Sequence, residues 1–118
     1  MRVKRLEQIP MDKTIKLPGG KKTLVIGDYD DSNEIVLRQL SLDPNQSTPE
    51  HSHDFSHIWK IEQGHGMLRN DEGKEQEVKA NDFIFIPNNE KHSLRNIGKE
   101  NLEWLCFGTA ESEKNIPK

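Results

Sequence analysis

The sequence lacks most features that would assign it to a specialised class of protein. It contains one cysteine, Cys106, among 118 residues, so an internal disulfide cannot form, and this is typical of a cytoplasmic protein. Apolar residues make up 31% and aromatic residues 6% of the chain. No apolar run approaches the roughly 20 residues of a membrane-spanning helix. The basic segment from Met1 to Arg5 precedes no apolar run, so we expect no signal peptide.

Charge of one sign is also not concentrated anywhere in the chain. The sequence has 17 Lys and Arg against 20 Asp and Glu, a net charge of -3, and both signs are mixed along its length. Because a nucleic-acid-binding protein needs a clustered basic surface, we expect neither a nucleic-acid nor a membrane partner. A chain of this length is one domain, residues 1–118. Domains with so modest a core often gain stability by association, which favours a homodimer.

Short apolar segments separated by turn signals predict an all-β fold. Strands are expected within residues 21–29, 34–42, 56–63, 67–70, 74–79, 82–86, 93–97 and 102–107. No segment has a helical period of adequate length, so a sandwich or barrel is expected. Residues 1–20 form an N-terminal arm that ends in a strong turn signal, and residues 110–118 form a polar, flexible tail.

Histidines provide the most informative pattern in the sequence. His51, His53 and His57 share the same parity, so their imidazoles point to one face if the chain is extended there without a bulge. A His-x-His pair alone is weak evidence of a metal site. The concentration of histidines strengthens it, because neutral imidazole is a common ligand of Zn, Cu, Fe and Ni. Three such groups, joined by a fourth from elsewhere, would form a shell of nitrogen donors.

Two segments, residues 49–64 and 81–96, together resemble the two motifs of the cupin family. The first motif runs His-x-His, Glu and Gly, and the second runs Gly-Asp, Pro-x-Gly, His and Asn. The residues that stand at matching spacings are His51, His53, Gly64, Asp82, Pro87, His92 and Asn96. The resemblance implies a single-domain double-stranded β-helix, or jelly-roll barrel, with a metal ion near one mouth.

Three positions depart from the family pattern. Asn81 and Asn89 stand where the family has Gly. Asn is the non-Gly residue that best tolerates positive φ, so both turns can form. His57 replaces the usual glutamate, which makes the sequence similar to small, manganese-containing bacterial cupins with four histidine ligands. The metal ligands implied by this resemblance are His51, His53, His57 and His92.

The resemblance favours Mn or Fe as the bound metal, although the spacing itself does not identify it. Cu, Ni and Zn bind such donors more tightly, and four histidines would leave zinc in a closed, structural site. Four neutral ligands would also leave the full charge of a divalent ion uncompensated. That charge favours an anionic ligand such as an enolate or a carboxylate, and it disfavours oxidation of the resting metal.

Three further residues, Arg38, Trp104 and Cys106, are candidates for the cavity. Arg38 shares a strand face with apolar neighbours and could hold a substrate carboxylate, or its side chain could reach water from an edge strand. Trp104 and Cys106 share one face of the last strand, although a buried, inert thiol is the commoner fate of a cysteine. Trp59 is expected to face the interior, where simple core packing is the alternative. His65 is expected in a surface turn.

The function implied by the resemblance is a metal-dependent enzyme acting on a small oxygenated organic molecule. Dioxygenase-like oxidation or carbon–carbon bond cleavage is the expected reaction. A cupin isomerase or lyase is one alternative, and a non-catalytic module that binds or senses a metal or small ligand is another. An enzyme loses turnover when a metal ligand is removed, whereas a binding module holds its ligand without turnover. The family hosts many reactions on one scaffold, so the sequence does not name the substrate.

Overall fold

The computed structural model describes residues 1–110, so nearly all of the predicted tail lies outside the described residues. Within them the chain forms nine strands: β1 (Thr14–Leu17), β2 (Gly20–Ile26), β3 (Ile35–Leu42), β4 (His57–Gln63), β5 (His65–Asn70), β6 (Glu75–Lys79), β7 (Phe83–Ile86), β8 (His92–Asn96) and β9 (Leu102–Thr109). Three short 3₁₀ helices lie at Leu6–Gln8, Met11–Lys13 and Asp28–Asp30. None of the helices in residues 1–110 is long and apolar enough to span a membrane.

The strands form two antiparallel sheets, which confirms the predicted all-β fold. A six-stranded sheet has the order β1-β2-β3-β9-β4-β7, and a three-stranded sheet has the order β6-β5-β8. The apolar core is built from inward-facing side chains of both sheets, including Ile61, Leu94 and Leu102, which are all 0% exposed. Because side chains alternate along a strand, the opposite face of each strand is left to solvent.

Each predicted strand segment overlaps one observed strand. One strand, β1, was not predicted, and the expectation of a surface turn at His65 was wrong. The expected N-terminal arm contains β1, whose four residues are all exposed and pair with β2 across the turn at Gly19. His65 lies on β5 and not in a turn, because only Gly64 adopts a positive φ, of 94°. Gly66 continues that strand at a point where Leu94 and Leu102 pack against its bare backbone.

Both asparagines that stand in place of family glycines adopt left-handed backbone conformations, as predicted. The φ angle is 74° at Asn81 and 66° at Asn89. The amide of Asn89 donates a hydrogen bond to the carbonyl of His53. The turn before β8 is therefore attached directly to the histidine-rich segment.

Asn96, the last residue of the second motif, acts as a buried structural connector. It is 1% exposed, and its Nδ2 donates hydrogen bonds to the carbonyls of Leu42, at 3.0 Å, and Glu100, at 2.8 Å. Its Oδ1 accepts a hydrogen bond from the amide of Gly98 at 2.9 Å. All three bonds fix the loop after β8 against the end of β3, so this residue supports the fold and not the chemistry.

Candidate metal centre

Three histidines from two separate segments of the sequence meet in the fold. The potential ligand atoms of His51, His53 and His92 all lie within 4.8 Å of one another. Their ring centroids are 4.6 Å apart between His51 and His53, and 4.5 Å apart between His51 and His92. His53 and His92 are buried, whereas His51 is half-buried and marks the side on which the cluster meets solvent.

Backbone pairing brings the histidines of the two motifs together. His51 and His92 form an isolated antiparallel bridge in which each amide donates to the other's carbonyl. Each ring also has a fixed orientation, because Nδ1 of His51 lies 2.6 Å from the carbonyl of Pro49 and Nδ1 of His92 lies 2.9 Å from that of Glu90. Since a carbonyl only accepts, Nδ1 carries the proton in both rings and the lone pair is on Nε2.

His57 lies beside this cluster but is not one of the three histidines whose potential ligand atoms lie within 4.8 Å of one another. Its ring centroid is 5.1 Å from that of His53, and the side chain is buried at the start of β4. The condition of one extended run is not met, because the backbone bends at Asp54 and Phe55 between these two histidines. Nε2 of His57, like that of His92, is buried and has no hydrogen-bond partner among residues 1–110. The role of His57 as a fourth ligand stays a prediction.

The environment lowers the pKa of three of the histidines, His53, His57 and His92. Burial lowers the pKa of His53 to about 4, with further contributions from the neighbouring histidines and Arg38. Burial, followed by the charge of Arg38, lowers the pKa of His57 to about 3. Burial also lowers the pKa of His92, although its hydrogen bond to the Glu90 carbonyl opposes the shift. A neutral imidazole has the free lone pair that metal coordination requires.

Phe55 belongs to the site and was not singled out from the sequence. Its ring stacks on His53 with a centroid distance of 4.8 Å and an interplanar angle of 7°, and it lies 4.8 Å from the ring of His57. Phe55 has the same parity as His53 and His57, but the bend at this point means that parity alone does not predict this contact. Its half-exposed ring therefore covers the outer side of two of the histidines.

The predicted cavity residues all point inward. Arg38 is 1% exposed on β3, an internal strand, so the alternative of an edge strand with a water-facing side chain was wrong. Cross-strand pairing places Arg38 opposite Cys106, and Cys106 opposite Trp59, in one row across the sheet. We call Arg38, Cys106 and Trp59 the floor row.

Trp59 lies beside the histidines, and Trp104 packs against Trp59. The Trp59 ring lies 5.6 Å from His92 in an edge-on arrangement, so this side chain is both core and site wall. Trp104 is 1% exposed and lies 5.6 Å from Trp59. Its ring therefore supports Trp59, while the direct neighbours of the histidines are Trp59 and Phe55. Catalytic roles for Arg38, Trp104 and Cys106 stay predictions.

The donor set fits a divalent transition metal. All the groups that meet are imidazoles, and the buried Nε2 atoms of His57 and His92 have no hydrogen-bond partner among the described residues. Buried polar atoms are otherwise almost always hydrogen-bonded, so these two atoms support the presence of a site for an electrophilic ligand.

Comparison with known proteins assigns the family. Residues 38–108, which run from β3 into β9 and contain all four candidate ligands, match the family model described as a cupin domain. The chain belongs to the cupin family. It is 33% identical over 72 residues to a cupin relative from Thermotoga maritima that is named an oxalate-binding protein. This match covers 60% of the present chain and 59% of the relative, so the chain spans about three-fifths of the curated relative it matches.

Solved structures place this cupin among double-stranded β-helix proteins. The polyketide cyclase RemF from Streptomyces resistomycificus superposes with a TM-score of 0.83 at 25% identity, covering 99% of this chain and 82% of RemF. A predicted oxalate decarboxylase from Thermotoga maritima superposes with a TM-score of 0.75 at 24% identity, covering 90% of this chain and 96% of that protein. The predicted jelly-roll fold is therefore confirmed.

Proposed function

We propose that this protein is a metal-dependent cupin enzyme whose substrate is a small anion that presents two oxygen atoms to a divalent metal. The observation that carries the proposal is the meeting of His51, His53 and His92 within 4.8 Å, with Nδ1 of His51 and of His92 held at backbone carbonyls and the pKa of His53 lowered by burial. His57 is proposed as the fourth ligand. Manganese or iron is proposed as the metal.

The chemistry that a divalent metal supplies in such a site is polarisation of a substrate's carbonyl oxygen. The protein's contribution is to hold the ligands and exclude bulk water. Four histidines around an octahedral ion leave two positions, which suit a chelating ligand better than a ligand with a single donor atom. Phe55 and Trp59 shield the imidazoles from two sides, which lowers the local dielectric and strengthens charge interactions within the site.

Arg38 is proposed as the residue that selects an anion. Its positively charged guanidinium lies close enough to contribute to the lowered pKa values of His53 and His57. A carboxylate or enolate bound beside the histidines would be attracted by this charge. A guanidinium also offers paired N–H donors that match the two oxygens of a carboxylate.

The names of the relatives support the proposed substrate class. Oxalate, named for the Thermotoga maritima relative, is a dicarboxylate with oxygens on adjacent carbons. A polyketide chain, the substrate class named for RemF, carries oxygens on alternate carbons. Both compounds offer two oxygens in a chelating arrangement. We therefore propose as the substrate either an oxalate-like dicarboxylate, with oxygens on adjacent carbons, or an enolisable 1,3-dicarbonyl compound.

The proposed reaction is oxygen-dependent cleavage of a carbon–carbon bond in such a compound. A redox-neutral isomerase or lyase reaction is the second candidate, favoured by the similarity to a cyclase. A ligand-binding module is the third, favoured by the relative named for oxalate binding. These candidates share the metal centre and differ only in what happens to the bound ligand.

The test begins with metal analysis of untagged protein purified without added metal or chelator. The wild type is compared with His51→Ala/His53→Ala and with His65→Ala, which removes the one histidine outside the proposed site. About one metal per chain in the wild type and His65→Ala, and none in the double variant, is expected. Absence of metal from all three, with none taken up on titration, would refute the proposal.

Metal-loaded protein is then incubated with oxalate and with 1,3-diketones, with and without O₂. Oxygen uptake with cleaved products supports the oxygenase, and a rearranged product under anaerobic conditions supports the isomerase or lyase. Binding without turnover supports the binding module. In each case Arg38→Met should weaken binding of the anion while the metal content stays unchanged.

A further inference from the structure

The chain has two tryptophans, Trp59 and Trp104, and both are buried in the interior of the barrel, at 4% and 1% exposure. The Nε1 atom of each indole is buried and has no hydrogen-bond partner among residues 1–110. An indole N–H only donates, and buried polar atoms are almost always hydrogen-bonded. Two such donors in neighbouring rings therefore point to an acceptor that the described residues do not supply.

The inward-facing side chains of β9 grow in size with distance from the candidate ligand His57. Gly108, Cys106 and Trp104 are all buried and alternate with residues that are exposed or half-buried. The register of β4 and β9 pairs Trp59 with Cys106, which brings Gly108 beside His57. Gly108 presents no side chain to the interior, and Cys106 presents a small one. The part of the sheet nearest His57 therefore leaves room for a ligand, and the large ring of Trp104 closes that room from below.

The two indoles lie at successive distances from the histidines along this path. The Trp59 ring lies 5.6 Å from the ring of His92, and the Trp104 ring lies 5.6 Å from that of Trp59. Arg38 lies across Cys106 from Trp59, so the backbones that carry these two side chains are two strand spacings, about 10 Å, apart. A ligand held at the histidines and extending over Cys106 would meet a cation on one side and an indole donor on the other.

We propose that the indole N–H groups of Trp59 and Trp104 bind a second polar group of the substrate, beyond the two oxygens held by the metal. This inference rests on the proposed function and narrows its substrate class. The second group is an acceptor, because an indole only donates, and it is anionic, because Arg38 lies in the same row as Trp59. Trp104 lies beyond Trp59, which favours a ligand longer than oxalate. The substrate class is therefore an enolisable 1,3-dicarbonyl compound that bears a carboxylate.

The experiment follows the indole N–H signals of ¹⁵N-labelled, cadmium-loaded protein by NMR. Two tryptophans give two such signals, and Cd²⁺ is diamagnetic and accepts six ligands. The probes are acetylpyruvate and acetylacetone, which share the chelating unit, whereas only acetylpyruvate carries a carboxylate. We expect acetylpyruvate to shift both indole signals downfield and to slow their exchange with solvent. Acetylacetone should bind without doing either.

Two variants test the donors separately. Trp59→Phe and Trp104→Phe each remove one indole N–H and keep an aromatic ring. Each variant should bind acetylpyruvate at least about tenfold more weakly than the wild type, and acetylacetone equally well. Isothermal titration measures both affinities, and an unchanged metal content shows that the histidines are unaffected. An equal loss for the two probes would contradict the donor role, because it would show that the rings act only by packing.

The outcomes separate this inference from the proposed function. If both probes bind and acetylpyruvate leaves the indole signals unmoved, the inference is wrong, the metal-dependent function stands, and buried water is the acceptor. If neither probe binds the metal-loaded protein, the proposed function fails and the inference fails with it. The NMR measurement uses the unaltered protein, so it decides even if the variants do not fold.

Discussion

His51 and His92 exchange backbone hydrogen bonds of 3.1 and 2.9 Å, and their ring centroids lie 4.5 Å apart. The peptide backbone therefore holds two of the candidate ligands together without any contribution from a metal. Organisation of this kind lowers the conformational cost of metal binding, because the ligands are not gathered from separate, mobile segments.

Removal of metal should leave the fold intact. Because the His51–His92 bridge and the apolar core do not require an ion, far-ultraviolet circular dichroism of chelator-treated protein should match that of the metal-loaded protein. The melting temperature should fall, since an ion that binds only the folded state stabilises it by mass action. A loss of strand signal on chelation would show instead that the metal is needed for folding.

Substitution of a clustered histidine should abolish tight metal binding. His92→Ala is expected to weaken affinity by more than about 100-fold, since changes to groups that merely support a ligand already cost 10–100-fold. Isothermal titration of Mn²⁺ or Zn²⁺ measures the effect. His65→Ala is the matched control, because His65 is exposed on β5 and outside the cluster. If His57 is a ligand, His57→Ala should weaken metal affinity about as much as His92→Ala does. If it is not, His57→Ala should bind metal as tightly as His65→Ala does.

Removal of the Phe55 ring should speed metal exchange. Phe55 stacks on His53 and lies against His57, so Phe55→Ala exposes both imidazoles and loosens their orientation. We expect faster transfer of metal to a competing chelator, with little change in the melting temperature because the ring is only half-buried. Phe107→Ala, on the far side of the sheet, should exchange metal at the wild-type rate.

Substitutions at Asn89 should differ in their effect on the free energy of unfolding, because this residue adopts a left-handed backbone conformation. Asn89→Ala places a residue with little tolerance for positive φ at a φ of 66° and is expected to lower the free energy of unfolding by about 1–2 kcal/mol. Asn89→Gly should be close to neutral, because glycine adopts this conformation freely. Urea denaturation of both variants provides the measurement, and equal losses would show that the asparagine side chain itself is required.

Acid should destabilise the metal-free protein. Folding lowers the pKa of His53 to about 4 and of His57 to about 3, from a usual value of 6.5, so the unfolded chain binds more protons below that value. The contribution of these two histidines to the free energy of unfolding is complete above pH 6.5, and it is lost as the pH falls towards the folded pKa values. Denaturation at a series of pH values tests this. His57→Gln, which removes one titrating group, should show a shallower loss.

The alternation of side chains made much of the fold predictable from the sequence. In β4 the buried positions His57, Trp59 and Ile61 alternate with Ile58 and Lys60, and the structure follows this pattern. β1 was missed because its four exposed residues bury no apolar face, so no periodic pattern marks them. The apolar segment Phe83–Ile86 did not reveal that its two phenylalanines face outward, because an unbroken apolar run does not identify its buried side.

The site was predictable in its residues and less so in its geometry. The spacing of the two motifs identified the histidines, since the family resemblance depends on that spacing. The bend at Asp54 and Phe55 was not predictable, because it depends on how the chain meets the turn at Asn89. The position of Phe55 against the imidazoles follows from that bend.

The floor row gives the site a property that matters for protein engineering. Arg38, Cys106 and Trp59 lie in the middle of three adjacent strands, whereas the clustered histidines lie in a loop or at the start of a strand. Different parts of the backbone therefore hold the two sets. Under the proposed function, libraries of variants at the floor positions should alter which ligand is accepted while the backbone that carries the clustered histidines is unchanged.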